Sequence, residues 1–187
     1  MKFTSTGLKG SYVIDVVPIE DERGWFARTF CKDEFREIGH TKEWVQINHS
    51  FTNEAGSIRG MHFQRPPFSE IKLIRCIAGK VFDVIIDLRK NSETFLKWFS
   101  LEMSAENKKM IYIPEGFAHG FQTLTDDCQL IYSHSEYYKP NIEGGIKYND
   151  EMIGVNWPLP AKNISKRDQK HEQLNYHFEG LTINNEL

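Results

Sequence analysis

Residues 71–88 read Ile-Lys-Leu-Ile-Arg-Cys-Ile-Ala-Gly-Lys-Val-Phe-Asp-Val-Ile-Ile-Asp-Leu, and this stretch decides the fold. It holds two apolar runs rich in β-branched residues, parted by Ala78-Gly79. Such short, branched runs suit pleated strands better than helices. Side chains alternate across a strand, so Lys72, Ile74 and Cys76 share one face, and Ile71, Leu73, Arg75 and Ile77 share the other. Both faces are largely apolar and each carries one charge. That pattern predicts a strand buried on both sides, with one charge aimed at a cavity. In the second run Asp83 and Asp87 share a face with Val81 and Ile85. A carboxylate on an apolar strand needs a partner, and the structural expectation for Asp83 is an ion pair with Arg75 or Arg59. Ala78-Gly79 predicts a tight hairpin.

The same signal recurs outward in both directions. Segments 44–50, 57–63, 97–101, 109–113, 120–124 and 129–138 are short and rich in β-branched and aromatic residues. Turn-forming residues separate them at 53–56, 66–67, 114–116 and 126–127. Many short strands at this spacing predict an antiparallel sandwich or barrel. Helical signals are few. Residues 32–38 predict two turns with Phe35 and Ile38 facing inward, and 104–107 a short turn. Residues 165–174 predict a helix with Ser165 as N-cap and Asp168 closing a capping box, although Lys166-Arg167 slightly oppose the helix dipole there. Repeats and linkers are absent from the sequence. One domain is expected over 1–187, with 165–187 packing as an extension.

Composition narrows the function. The chain has 187 residues, 40% hydrophobic and 26% charged, with a net charge of −3, which argues for a globular domain with a real core. An acidic chain has no bulk attraction for nucleic acid, so an anionic ligand must meet a local basic cluster. The 13% aromatic content suits a site that stacks flat rings. Cys31, Cys76 and Cys128 are odd in number and form no Cys-x-x-Cys pair, which disfavours a disulfide framework or a zinc site and favours a reducing compartment. The N-terminus, MKFTSTGLKGSY, lacks the apolar run of a signal peptide, and no stretch is long and apolar enough to span a membrane. The expectation is a cytoplasmic protein without nucleic-acid or membrane partners.

Candidate chemistry lies on the strands. In segment 57–63, alternation puts Arg59, Met61 and Phe63 on one face, and Gly60, His62 and Gln64 on the other. Pro114-Glu-Gly-Phe-Ala-His119 is a Pro-x-Gly turn that aims a histidine from the start of the next strand. This resembles the second motif of the cupin superfamily, whose members are small double-sheet barrels. Metal-binding cupins supply His-x-His and a later Glu from their first motif. Here that place reads His62-Phe63-Gln64, and Glu70 comes only after a Pro-Pro turn. Two histidines alone make a weak site for a divalent cation, so neither metal nor cofactor is expected. The cavity then needs another electrophile, and Lys72 and Arg59 are the candidates. Taken singly, His119 reads as a turn cap and Tyr132 as a core tyrosine. Occurring together on inward positions, His62, Lys72, His119 and Tyr132 point to a reactive site.

At this point the residues match a family. The chain resembles the nucleotide-diphospho-4-keto-6-deoxyglucose 3,5-epimerases. The resemblance is carried by Asp21-Glu-Arg-Gly-Trp-Phe26, Gln46-Ile-Asn-His-Ser50, Ile58-Arg-Gly-Met-His-Phe-Gln64, Lys72-Leu-Ile-Arg-Cys76 and Gly79-Lys-Val-Phe-Asp-Val84. Leu101-Glu-Met-Ser-Ala-Glu-Asn107, Ile113-Pro-Glu-Gly-Phe-Ala-His-Gly-Phe121, Tyr137-Tyr138 and Ser165-Lys-Arg-Asp168 extend it over nearly the whole chain. It implies a mainly β, cupin-type jelly-roll barrel that needs no metal and forms a homodimer with exchanged N-terminal strands. It implies His62 as base, Asp168 as its orienting carboxylate, Lys72 facing the sugar oxygen that becomes charged, and Tyr132 as acid. Arg23, Arg28, Gln46, Asn48, Arg59, His119, Glu143 and Arg167 fall at substrate-binding positions, and Tyr138 at the position that stacks on the nucleotide base. The implied reaction turns dTDP-4-dehydro-6-deoxy-D-glucose into dTDP-4-dehydro-L-rhamnose, a step of dTDP-rhamnose and lipopolysaccharide carbohydrate biosynthesis. The alternatives are a single-carbon epimerase, a ketoisomerase or a sugar-binding cupin. The chain departs from the family pattern at Arg28, usually Glu, at Ile47, usually Asp, at Glu70-Ile71, usually Gln-Gly or Gln-x, at Ser133-His134, where Lys is common, and at Lys166. The positions of the chemistry are kept while the rim has changed.

Overall fold

The computed structural model describes residues 1–183. Its centre is the pair of runs that the sequence marks most strongly, β7 (Lys72–Ala78) and β8 (Lys80–Asp87). As alternation predicts, Ile74 and Cys76 enter one apolar cluster, and Leu73 enters another on the opposite face. Val81 and Ile85 join the first cluster, while Val84 and Ile86 join a third. Full burial of each such side chain contributes roughly 1.5–3 kcal/mol.

Ala78-Gly79 does not make the expected hairpin. β7 belongs to a six-stranded sheet and β8 to a five-stranded one, so the chain turns a corner between sheets there. Gly79 has φ +70°, and a Cβ on it would stand 2.7 Å from Cys128 Sγ, so the corner requires glycine. Two apolar runs around a small turn look alike in sequence whether they pair or part.

The six-stranded sheet runs β1 (Lys2–Ser5), β2 (Tyr12–Asp15), β10 (Met110–Ile113), β7, β12 (Cys128–His134), β5 (Gln46–Thr52). The five-stranded sheet runs β13 (Glu143–Gly145), β6 (Ile58–Gln64), β11 (Phe117–Thr123), β8, β9 (Trp98–Ser104). Neighbouring strands are antiparallel. This is the double-sheet cupin barrel that the sequence predicts, with Ile74, Val81, Phe121 and Leu130 packed between the sheets. Phe35 of the short helix α1 (Lys32–Arg36) covers the outside of the six-stranded sheet. Ile146, Ile153, Trp157 and Leu181 cover the outside of the five-stranded one. No described helix is long and apolar enough to cross a membrane.

The N-terminal strands divide into two groups. β1 and β2 sit in this chain's own sheet through the pairing of β2 with β10. β3 (Ile19–Asp21) and β4 (Gly24–Phe26) pair only with each other, leaving Ile19 72% and Phe26 73% exposed. At the other end, helix α2 (Lys166–Gln169) is shorter than the predicted 165–174. Ser165 caps it as expected, accepting from the Asp168 N–H at 3.0 Å. The Asp168 carboxylate does not close the box, because it is committed to β6 instead.

Strand β6 breaks strict alternation. Its register against β11 pairs His62 with His119 and Arg59 with Phe121, so three steps on β6 oppose two on β11. The extra residue is a bulge. It reverses the parity, and Arg59 and His62 line one cavity instead of opposite faces. Gly60 occupies the bulge with φ +135°, and a Cβ there would lie 2.5 Å from Gly120 Cα. We expect Gly60→Ala to lower stability by about 1–3 kcal/mol in denaturant unfolding, since both the backbone angle and the contact oppose a side chain. An unchanged midpoint would contradict this account of the bulge.

Candidate active site

The bulge sets His62 into the barrel wall, and α2 brings Asp168 to it. Asp168 is almost fully buried, and an isolated buried carboxylate is costly. Three hydrogen bonds satisfy it, from His62 Nε2 at 2.8 Å, the Gly60 N–H at 3.3 Å and the Arg167 Nε–H at 3.2 Å, with the His171 imidazole 3.7 Å away. Burial pushes its pKa up, but the bond from His62 and the other donors outweigh burial and hold it well below the usual carboxylate range. An ionised carboxylate only accepts, so His62 must donate through Nε2–H, which leaves Nδ1 as the nitrogen able to take a proton. Arg167 Nη2 lies 3.0 Å from the same Nε2 but cannot donate to it in that tautomer. Its guanidinium instead serves Asp168 and Glu143, the latter at 2.8 Å.

Two cavities meet at this histidine. The larger, about 590 Å³, is walled by Arg59, Phe51, Ser165, Arg167 and Asp168, and the smaller, about 190 Å³, by Gln46, Asn48, Lys72, Tyr138 and Glu143. His62 and Tyr132 line both. The Tyr132 hydroxyl lies 2.9 Å from Ser50 Oγ, and burial pushes its pKa up, so the phenol stays protonated. Lys72, on the inward face of β7, is paired with Glu70 at 3.1 Å. Burial raises the Glu70 pKa, but Lys72 and His134 override it and hold it at about 2.

Of the residues expected from sequence, His62, Asp168, Lys72, Tyr132, Gln46, Asn48, Arg59, Tyr138, Glu143 and Arg167 gather around these cavities. His119 lines neither cavity, although its ring centroid is 6.3 Å from that of Tyr132. It is buried, bonds Asp83 at 2.8 Å, and burial lowers its pKa, which keeps it neutral. This also corrects the expected partner of Asp83. Arg75 lies on the other face with its guanidinium 5.9 Å from the Trp25 ring, and Arg59 is held at the bulge by Thr52 Oγ1 and the Phe51 carbonyl, each at 3.0 Å. Arg23 and Arg28 line neither cavity. Arg23 pairs with Asp21 on the β3–β4 hairpin, and Arg28 with Glu34 at 2.9 Å. Glu70 and His134 do belong to the site, where the sequence marks them only as departures from a pattern.

The donor set does not favour a metal. Gln64 is spent on the Phe68 and Tyr137 carbonyls and the Lys139 N–H, and His119 on Asp83, so the cupin-motif residues do not converge. His62, Asp168 and His171 offer ligand atoms within 4.8 Å of one another, but the Arg167 guanidinium stands against two of these atoms and opposes a cation.

An oriented imidazole and a protonated phenol on shared walls, with an ammonium beside them, can take a proton from one side of a carbon acid and return one to the other. Fold and site together define a cupin-type isomerase. The family described as dTDP-4-dehydrorhamnose 3,5-epimerase matches residues 5–176. A Shigella flexneri protein of that name is 44% identical over 149 residues, covering 79% of this chain and 82% of that protein. One from Methanothermobacter thermautotrophicus is 42% identical, covering 92% of this chain and 94% of that protein. The crystal structure of dTDP-6-deoxy-D-glucose-3,5-epimerase from Legionella pneumophila Philadelphia 1 in complex with dTDP-4-keto-L-rhamnose superposes with a TM-score of 0.91 at 34% identity, covering 97% of both chains. The chain belongs to the dTDP-4-dehydrorhamnose 3,5-epimerase family.

Glu70 gives this site a pH signature. Its pKa falls from 4.5 to about 2 on folding, so its stabilising contribution is complete above about pH 4.5 and is lost as pH falls toward 2. Unfolding free energies of wild type and Glu70→Gln, measured from pH 6 to pH 2.5, should converge at the acid end. Curves that stay parallel would contradict the pairing.

Proposed function

We propose that the protein inverts C3 and C5 of dTDP-4-dehydro-6-deoxy-D-glucose to give dTDP-4-dehydro-L-rhamnose. The observation that carries this reading is the sharing of both cavities by His62 and Tyr132. A ketone at C4 acidifies the hydrogens on C3 and C5, because loss of either leaves an enolate with its charge on the C4 oxygen. His62 Nδ1 takes the proton, and Asp168 holds the tautomer and steadies the imidazolium that forms. Lys72 donates to the developing oxyanion, and loss of one such donor typically costs about 10²–10³ in rate. Inversion requires the new proton to arrive on the other face, and Tyr132 delivers it. Arg59, which lines the larger cavity, suits the diphosphate, which answers how an acidic chain attracts an anion.

The reading includes a cytoplasmic homodimer. The β3–β4 hairpin is exposed and apolar at Ile19 and Phe26, and the edge strand β5 beside the larger cavity exposes Ile47 (69%) and Phe51 (50%). A hairpin reaching onto the β5 edge of a second copy would cover both patches and carry Arg23 to the partner's cavity. Arg23→Ala should then weaken dTDP binding while the protein stays dimeric by sedimentation. A monomer with full affinity would contradict the exchange.

Deuterium wash-in at C3 and C5 of the sugar, followed by NMR, tests the chemistry. His62→Ala should abolish exchange at both carbons and leave dTDP affinity within about twofold; surviving exchange would place the base elsewhere. Tyr132→Phe should keep exchange but lower inversion by about 10²–10⁴, and an unchanged product yield would remove it as acid. Exchange at one carbon alone would replace the 3,5 assignment with a single-carbon one.

A further inference from the structure

Two of the positions at which the chain departs from its family pattern, Glu70 and His134, are far apart in sequence yet touch. Glu70 Oε2 lies 2.7 Å from His134 Nδ1, and Oε1 lies 3.1 Å from Lys72 Nζ. The sheet explains the meeting. His134 on β12 pairs in register with Lys72 on β7 and with Gln46 on β5, so the three side chains share one floor of the smaller cavity. Lys72, Glu70 and His134 are each about 10% exposed at the side chain.

The hydrogen bonds have one consistent direction. The ionised Glu70 only accepts, so His134 donates through Nδ1–H and its Nε2 is an acceptor. Asn48 Nδ2 lies 3.3 Å from that Nε2 and donates to it. Asn48 Oδ1 accepts from Gln46 Nε2 at 3.2 Å, and Gln46 Oε1 accepts from the Tyr138 N–H at 3.2 Å. The donors thus run from Tyr138 through Gln46, Asn48 and His134 to Glu70, where the Lys72 ammonium arrives from the other side. Each acceptor in the chain receives one donor. Breaking the link between Glu70 and His134 leaves a buried polar group unpaired.

We propose that Glu70 and His134 form a coupled positioning pair for Lys72, in which Glu70 fixes the direction of the ammonium and His134 fixes Glu70. This rests on the reading of Lys72 as the donor to the enolate oxygen. A carboxylate next to a buried ammonium supplies a counter-ion, and it needs a second donor to hold its other oxygen; His134 is that donor. Neither residue has to touch the sugar, so both act through Lys72.

Four variants test the pair with the dTDP-4-keto sugar as substrate. Lys72→Ala is the control for the underlying reading, and it should lower kcat for deuterium exchange by about 10²–10³. If it does not, the role of Lys72 fails, and the pair fails with it. With that control met, Glu70→Gln should lower kcat about tenfold or more while KM and dTDP affinity move less than about twofold, because aim is lost and binding is kept. His134→Ala should lower kcat in the same way. His134→Asn should restore most of it, since the Asn amide can donate from the place of Nδ1. The double variant Glu70→Gln/His134→Ala should be no slower than Glu70→Gln alone. Additive losses in the double variant, a KM rise at constant kcat, or an Asn variant as slow as Ala would each overturn the proposal. Thermal unfolding of every variant identifies misfolding. Should Glu70→Gln not fold, the contrast between His134→Ala and His134→Asn still decides.

Discussion

One buried carboxylate organises the molecule's working end. Asp168 sits in the barrel wall with hardly any exposed surface, and its charge is tolerable only because three donors converge on it. Those contacts fasten the C-terminal segment to β6, hold the bulge glycine by its N–H, and fix which nitrogen of His62 is free. The same interaction therefore has a structural and a chemical consequence. Helix α2, a single turn, is too short to be stable alone, and it is placed by the residue it presents. The box that Asp168 leaves open at the helix start is the local expense of that placement.

Around this fixed point the barrel separates tasks by strand. β6 and α2 supply the imidazole and its carboxylate, and β7, β12 and β5 supply the ammonium, the phenol and the amide chain. β6 belongs to one sheet, and β7, β12 and β5 to the other. A flat ring held between them meets different groups on its two sides, which is what inversion at carbon requires. The second imidazole–carboxylate pair, His119 and Asp83, is buried beside Tyr132, with His119 Nε2 2.8 Å from one Asp83 oxygen. It joins β11 to β8 by a side-chain hydrogen bond.

Much of this was legible in the sequence, and the misses share a cause. Alternation placed Lys72, Ile74 and Cys76 on one face of β7 and Asp83 and Asp87 on one face of β8, because a period of two survives any tertiary context in which the strand stays regular. It failed at β6, where the bulge at Gly60 reverses parity and puts Arg59 beside His62. It failed again at Gly79, because a hairpin and a corner between sheets use the same residues. The partnership of His62 and Asp168 spans 106 positions, and that of Glu70 and His134 spans 64. No local pattern reports such pairs. The first was reachable only through resemblance to a family, and the second appeared only as two unconnected departures. Asp83 was expected to find an arginine, but its neighbour across the sheet is set by register, which composition does not reveal.

The central claim is geometric: the base and the acid stand on opposite sides of one ring, with the ketone oxygen at Lys72. A crystal structure of the complex with dTDP-4-keto-L-rhamnose or a stable analogue measures it directly. The account predicts the hexose between His62 Nδ1 and the Tyr132 hydroxyl, with its C4 oxygen about 3 Å from Lys72 Nζ. A hexose with both side chains against the same face, or with its C4 oxygen turned away from Lys72, would contradict it.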